Sequence, residues 1–124
     1  MKIYYCQHCK NILMVLNDGG PNPVCCGEKM ILLEAGTVDA AREKHIPAVE
    51  LKGNEVLVKI GEVPHPMLEA HHIDFIILET NKGAQVAYLE VDKPAEAKFL
   101  LQEGEKAIAV YEHCNLHGLW KKEL

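Results

Sequence analysis

No apolar run in this 124-residue chain approaches the length needed to cross a bilayer. Positive charge is also in short supply: 13 lysines and arginines stand against 18 aspartates and glutamates, a formal net charge of −5. That balance excludes sequence-independent nucleic-acid binding, which needs many cations set against phosphates. It also means that an anionic substrate must be drawn in by a local positive patch. Met1-Lys2-Ile3-Tyr4-Tyr5 runs straight into Cys6 with no apolar signal-peptide core. The expectation is a soluble, cytoplasmic protein with no membrane or nucleic-acid partner. Repeats and low-complexity tracts are absent, and helix signals are nearly so. Only residues 38–44 read as helix, about two turns at the usual pitch.

What is present is β signal. Residues 3–5, 12–16, 30–33, 56–60, 73–78, 85–91 and 106–111 form apolar or alternating runs, with turn chemistry between them at Asn17-Asp18-Gly19-Gly20-Pro21, Lys52-Gly53-Asn54, Asn81-Lys82-Gly83 and Glu103-Gly104. Short strands at regular spacing predict an all-β chain with a β-sandwich over residues 37–124. Gly36 marks the expected boundary after a small module, residues 1–36. A piece that short needs a metal or disulfides to hold it.

Five cysteines fall into a set of four and one apart. Cys6-x2-Cys9 and Cys25-Cys26 form two close pairs, the pattern of a tetrahedral thiolate site. In a reducing compartment metal ligation is favoured over disulfides. Adjacent strand residues face opposite ways, so Cys25 and Cys26 reach one ion only if the chain bends, and Pro23 and Gly27 make a bend there. Zinc as a structural staple and iron as an electron store both suit such a site. His8, inside the first pair, is expected to be a solvent-facing loop residue.

Cys114 is the fifth cysteine, followed closely by His117. In a strand the two would lie roughly 10 Å apart, whereas a tight turn brings them together, and Asn115 and Gly118 favour a turn. His65 and His71 would be separated by about 20 Å of extended chain, so the segment Pro64-His65-Pro66-Met67 must loop if both bind one ion. His45 sits just before Pro47. A thiolate among imidazoles suits iron or another redox-active transition metal. Spacing alone does not choose between His71 and His72, nor does it exclude His113.

With CQHC and CC near the N-terminus, EKHIP at 43–47, HPMLEAH at 65–71 and CNLHGLWK at 114–121, the chain resembles the desulfoferrodoxins, the two-iron class of superoxide reductase. The resemblance implies a desulforedoxin-like domain followed by an immunoglobulin-like β-sandwich. It implies two non-haem irons. One is rubredoxin-type, on Cys6, Cys9, Cys25 and Cys26, where zinc can substitute. The other lies among His45, His65, His71 and His117, with Cys114 axial and a sixth position left for substrate. The HPM-x3-H pattern selects His71 over His72. Lys44 is implied as the charge that attracts superoxide and organises proton delivery, and Glu43 as a mobile carboxylate of the oxidised site. Without the resemblance, these two read as an ordinary solvated pair.

The expected activity is one-electron reduction of superoxide to hydrogen peroxide, an oxidoreductase reaction of oxidative-stress detoxification. The expected partners are rubredoxin or a similar electron donor and a second copy of the chain. Two other readings remain: a non-enzymatic iron electron-transfer protein, and a zinc-stapled binding module.

Overall fold

The computed structural model describes residues 1–37, 45–61 and 63–124. Every regular element among them is a strand. The residues expected to be helical, 38–44, lie outside the described residues. The chain divides into two compact units, Met1–Glu34 and Ala35–Leu124.

The first unit carries β1 (Ile3–Tyr5), β2 (Ile12–Met14), β3 (Val24–Cys25), β4 (Glu28–Lys29) and β5 (Ile31–Leu32). β1 is the middle strand of a three-stranded antiparallel sheet, order β2-β1-β5, while β3 and β4 form a separate hairpin. Its buried cluster consists of Tyr4, Cys6 and Met30, with Val15 and Cys25 against it. Two of those five side chains are cysteines, so apolar burial alone cannot hold this unit together.

The second unit contains β6 (Pro47–Lys52), β7 (Glu55–Ile60), β8 (Ile73–Thr80), β9 (Gly83–Tyr88), β10 (Glu96–Leu100), β11 (Ala107–Cys114) and β12 (Gly118–Glu123). They form two antiparallel sheets, β10-β7-β6 and β12-β11-β8-β9. A three-stranded sheet facing a four-stranded one in this order is an immunoglobulin-like sandwich. Period-two alternation turns Val56, Val58 and Ile60 of β7 inward to meet Ile76 and Leu78 of β8 and Val110 of β11. Each fully buried aliphatic side chain contributes roughly 1.5–3 kcal/mol. Phe99, Ala95 and Met67 complete the cluster, and Cys114 is part of it.

The turns expected at 52–54, 81–83 and 103–104 are present, at 53–54, 81–82 and 103–104. Strands β6, β10 and β12 carry no strong sequence signal. β6 and β10 are edge strands with polar outer faces, and β12 reads as Leu-Trp-Lys-Lys. Each is specified by pairing with a more apolar neighbour. Pro47 is tolerated because it opens its strand.

Candidate metal centres

In the first unit Cys6 follows β1 directly. The chain folds back so that Lys10 N–H donates to the Cys6 carbonyl at 2.9 Å and Cys6 N–H to the Asn11 carbonyl at 2.9 Å. Lys10 takes φ +69° to close this turn. The second pair answers the problem of adjacent cysteines. Cys26 (φ +53°) and Gly27 (φ +76°) are the two turn residues between β3 and β4, and two positive φ values are what a two-residue hairpin turn of the primed kind requires. The turn swings Cys26 to the same side as Cys25.

The four sulfurs all lie within 4.8 Å of one another, and Cys9 Sγ is 3.5 Å from Cys25 Sγ. A metal–sulfur bond of about 2.3 Å in a tetrahedron puts sulfurs about 3.8 Å apart, so the set fits a single tetrahedral ion. Electrostatics point the same way. The Cys9 backbone N–H, helped by that of His8, lowers the Cys6 thiol to about 6. The Cys9, Cys6 and Cys25 side chains together push Cys26 up to about 12. A cation among the four would offset the mutual effect that raises Cys25 and Cys26. His8 is half-exposed and pairs with Glu28, Nε2 to Oε2 3.0 Å.

The second centre is assembled from three segments. β11 ends at Cys114, and a turn over Asn115, Leu116 and His117 leads to Gly118, which opens β12 at φ +81° and pairs back with Cys114. Cys114 Sγ and His117 Nδ1 are thereby 3.7 Å apart. The segment after β7 loops as its prolines require, and Leu68 and His71 exchange backbone hydrogen bonds of 2.8 and 3.1 Å. That tight turn brings His65 and His71 together. The third segment supplies His45, just ahead of β6.

The four imidazoles close a ring. Centroid separations are 4.9 Å from His45 to His65, 4.8 Å from His65 to His71, 5.2 Å from His71 to His117, and 5.1 Å from His117 back to His45. No adjacent pair is stacked; interplanar angles run from 53° to 81°. Cys114 belongs to both groups of donors within 4.8 Å of one another, one with His45 and His117 and one with His65 and His71. A thiolate common to both halves of an imidazole ring is the donor set of a five-ligand transition-metal site. Cys114 has no exposure, and His45 and His65 are buried, whereas His71 is half-buried and His117 exposed. Solvent therefore reaches the ring from the His71–His117 side.

Neighbouring groups fix how the rings face. His65 Nδ1–H donates to the Pro66 carbonyl at 2.7 Å, and His45 Nδ1–H to Glu112 Oε1 at 3.2 Å. Both rings are left with Nε2 for a metal. Glu112 is fully buried. Trp120, its register partner on β12, stacks on His45 with centroids 4.7 Å apart and planes 13° from parallel. The indole N–H donates to the His117 carbonyl at 3.1 Å, so one side chain steadies two of the four histidines. Behind the indole stands Gly36, where an added Cβ would lie 2.6 Å from Trp120 Cε3.

The histidines that spacing could not separate are now placed. His71 joins the ring. His72 turns instead to the Leu68 carbonyl (Nδ1, 2.9 Å) and to Asp74 Oδ1 (Nε2, 2.9 Å), and His113 Nδ1 meets Asp74 Oδ2 at 2.7 Å. A register shift in the β8–β11 pairing opposite Cys114 leaves Asp74 unpaired in the ladder, which turns its carboxylate toward both rings. Burial alone would raise Asp74, but His113 and His72 lower it. Burial likewise opposes the His72 imidazolium, yet the Leu68 carbonyl and Asp74 raise it. Glu43 and Lys44 lie outside the described residues. Sequence reasoning missed Glu112, Trp120 and Asn115. The one signal was a lone carboxylate in an apolar strand, two residues from Cys114 and so on the same face.

A sandwich bearing four imidazoles and a thiolate, with a four-thiolate unit on the same chain, defines a metalloprotein of two chemically distinct centres. Family models for desulfoferrodoxin and for the desulfoferrodoxin N-terminal domain match residues 37–123 and 1–33. The chain belongs to the desulfoferrodoxin family. It is 45% identical over 123 residues to a desulfoferrodoxin of Syntrophotalea carbinolica, covering 99% of this chain and 96% of that one. It is 44% identical to that of Nitratidesulfovibrio vulgaris, covering 98% and 95%. The crystal structure of the superoxide reductase from Treponema pallidum superposes with a TM-score of 0.82 at 35% identity, over 98% of this chain and 96% of that one.

Proposed function

We propose that this chain is a superoxide reductase, which adds one electron and two protons to superoxide and releases hydrogen peroxide without forming dioxygen. The observation that carries this is the closed imidazole ring with Cys114 common to both halves. His45, His65, His71, His117 and Cys114 hold one non-haem iron, and Cys6, Cys9, Cys25 and Cys26 hold a second, in a site that zinc also fits. Iron among the histidines supplies the single electron and a Lewis-acidic position open to a small anion.

The chain's own residues do the rest. Glu112 and the Pro66 carbonyl keep His45 and His65 in one tautomer, so no proton competes for Nε2. Burial of Cys114 keeps water from its sulfur. The half-open His71–His117 side admits a diatomic anion. Lys44, next to His45 in sequence, is the local positive charge that a chain of net charge −5 requires for such a substrate. It attracts superoxide and holds a proton for the product. Glu43 supplies the carboxylate that closes the site between turnovers. Residues 1–36 form the four-cysteine domain and 37–124 the reductase domain. A rubredoxin-like carrier returns the electron, and the chain works as a cytoplasmic homodimer. No helix among the described residues is long and apolar enough to cross a membrane.

The test is the product ratio when iron-loaded, prereduced protein meets superoxide without air. Peroxide with no matching dioxygen, and iron oxidised in step, is the expected result. Equal yields of peroxide and dioxygen would mean dismutation, and no reaction would leave an electron carrier or a zinc module. Lys44→Ala should slow the second-order rate while both irons stay bound.

A further inference from the structure

We infer that Asn115 is a positioning residue for the second centre, clamping the backbone on both sides of His71 to the turn that carries Cys114 and His117. The inference rests on the ligand roles proposed for His71 and Cys114. Three hydrogen bonds make the clamp. The His72 N–H donates to Asn115 Oδ1 at 2.9 Å, and Asn115 Nδ2–H donates to the Ala70 carbonyl at 3.1 Å. The Asn115 backbone N–H donates to the His72 carbonyl at 3.1 Å. Ala70 and His72 are the two chain neighbours of His71, so the side chain of Asn115 grips His71 from before and behind.

A turn former would need none of this. Asparagine suits the position after Cys114 for its local turn preference alone, yet here its amide is spent on a segment more than forty residues away. Only a carboxamide of this length presents an acceptor and a donor side by side. Aspartate has the same shape but would set a carboxylate oxygen against the Ala70 carbonyl. Alanine would leave both backbone groups to water.

The consequence is geometric. His71 is held to β8 and to its own turn through Leu68, but its distance from Cys114 is set by Asn115. Metal–ligand distances tolerate about 0.2 Å, so a small slip of residues 70–72 displaces one of the four imidazoles, that of His71. Groups that orient metal ligands typically govern about ten- to a hundredfold in metal affinity.

The experiment compares the intact two-iron protein with Asn115→Ala and Asn115→Asp. The readouts are the ferric–thiolate charge-transfer band and the rate of iron release from the histidine centre to excess chelator. We expect both variants to shift the band and to release this iron about tenfold faster or more, with the four-cysteine spectrum unchanged as an internal control. If Asn115→Ala fails to fold, the isosteric aspartate variant carries the test. Band position and release rate unchanged in the folded variants would overturn the clamp, as would a lowered melting temperature with both readouts unaltered. Absence of the band from the unaltered protein would overturn Cys114 as a ligand, and this inference with it.

Discussion

The first unit leaves two of its four ligands, Cys9 and Cys26, exposed, while the second buries Cys114 completely inside its hydrophobic cluster. The four sulfurs come from two tight turns within twenty-one residues of chain. The five donors of the second centre come from three segments that span most of the sandwich and are held by Glu112, Trp120 and Asn115. In the first unit, then, the ion does the work of a core, gathering groups that would otherwise repel one another. In the second, the core does the work of a mould, holding the ligand-bearing segments by packing and by hydrogen bonds of its own.

The largest effect that follows is on removal of metal. Stripping both centres with a chelator should unfold the first unit, since structural four-ligand sites contribute on the order of 10 kcal/mol to small modules. The sandwich should stay folded. Amide hydrogen exchange resolved by segment checks this: Ile3–Tyr5 should lose protection and Ile73–Thr80 should keep it. Equal loss in both would break the comparison.

Cys114→Ser should come next, abolishing the ferric–thiolate band and lowering superoxide reduction at least about a hundredfold, as loss of the thiolate donor would change the electronics of the iron the centre would hold. Stopped-flow absorbance measures both, and an unchanged peroxide yield would refute the mechanism. Glu112→Gln should weaken iron binding at the histidine centre about tenfold, readable in chelator competition, with the four-cysteine site unaffected.

The smallest effect sharpens the electrostatics. Asp74, facing His72 and His113, has its pKa lowered, so its contribution is present above the ordinary carboxylate range and is lost as pH falls through its lowered value. Asp74→Asn should cost about 1 kcal/mol at pH 5 to 6. The gap between the two melting curves should close on further acidification, and a gap independent of pH would refute the charge account.

The four cysteines were legible because chemistry restricts both their type and their spacing, whereas the histidine set was legible only through the family motifs HPMLEAH and CNLHGLWK. A CxxC pair, adjacent cysteines and a Cys-x2-His turn have few other uses. The β-rich class was legible too, from the alternation of 56–60 and from short apolar runs such as 73–78 set between turn signals. What stayed hidden depends on pairing across the sheet. Glu112 and Trp120 are eight residues apart and become neighbours only through the β11–β12 register. Asn115 reads as a turn residue until the 65–72 loop lies beside it. The family pattern pointed to His71, but what His72 and His113 do instead shows only with Asp74 between them.

Gly36 ties the sandwich's opening residues to its far end. Its N–H donates to the Leu119 carbonyl and its own carbonyl accepts from Lys121 N–H, each at 2.9 Å, beside the indole that admits no Cβ there. That dictates where the gene can be cut. A single-centre enzyme made by deleting through Glu34 keeps the strap, whereas a deletion that begins the chain at Thr37 removes the backing of Trp120 and, through it, of His45. A fusion or linker spliced at this junction must likewise preserve a glycine at position 36.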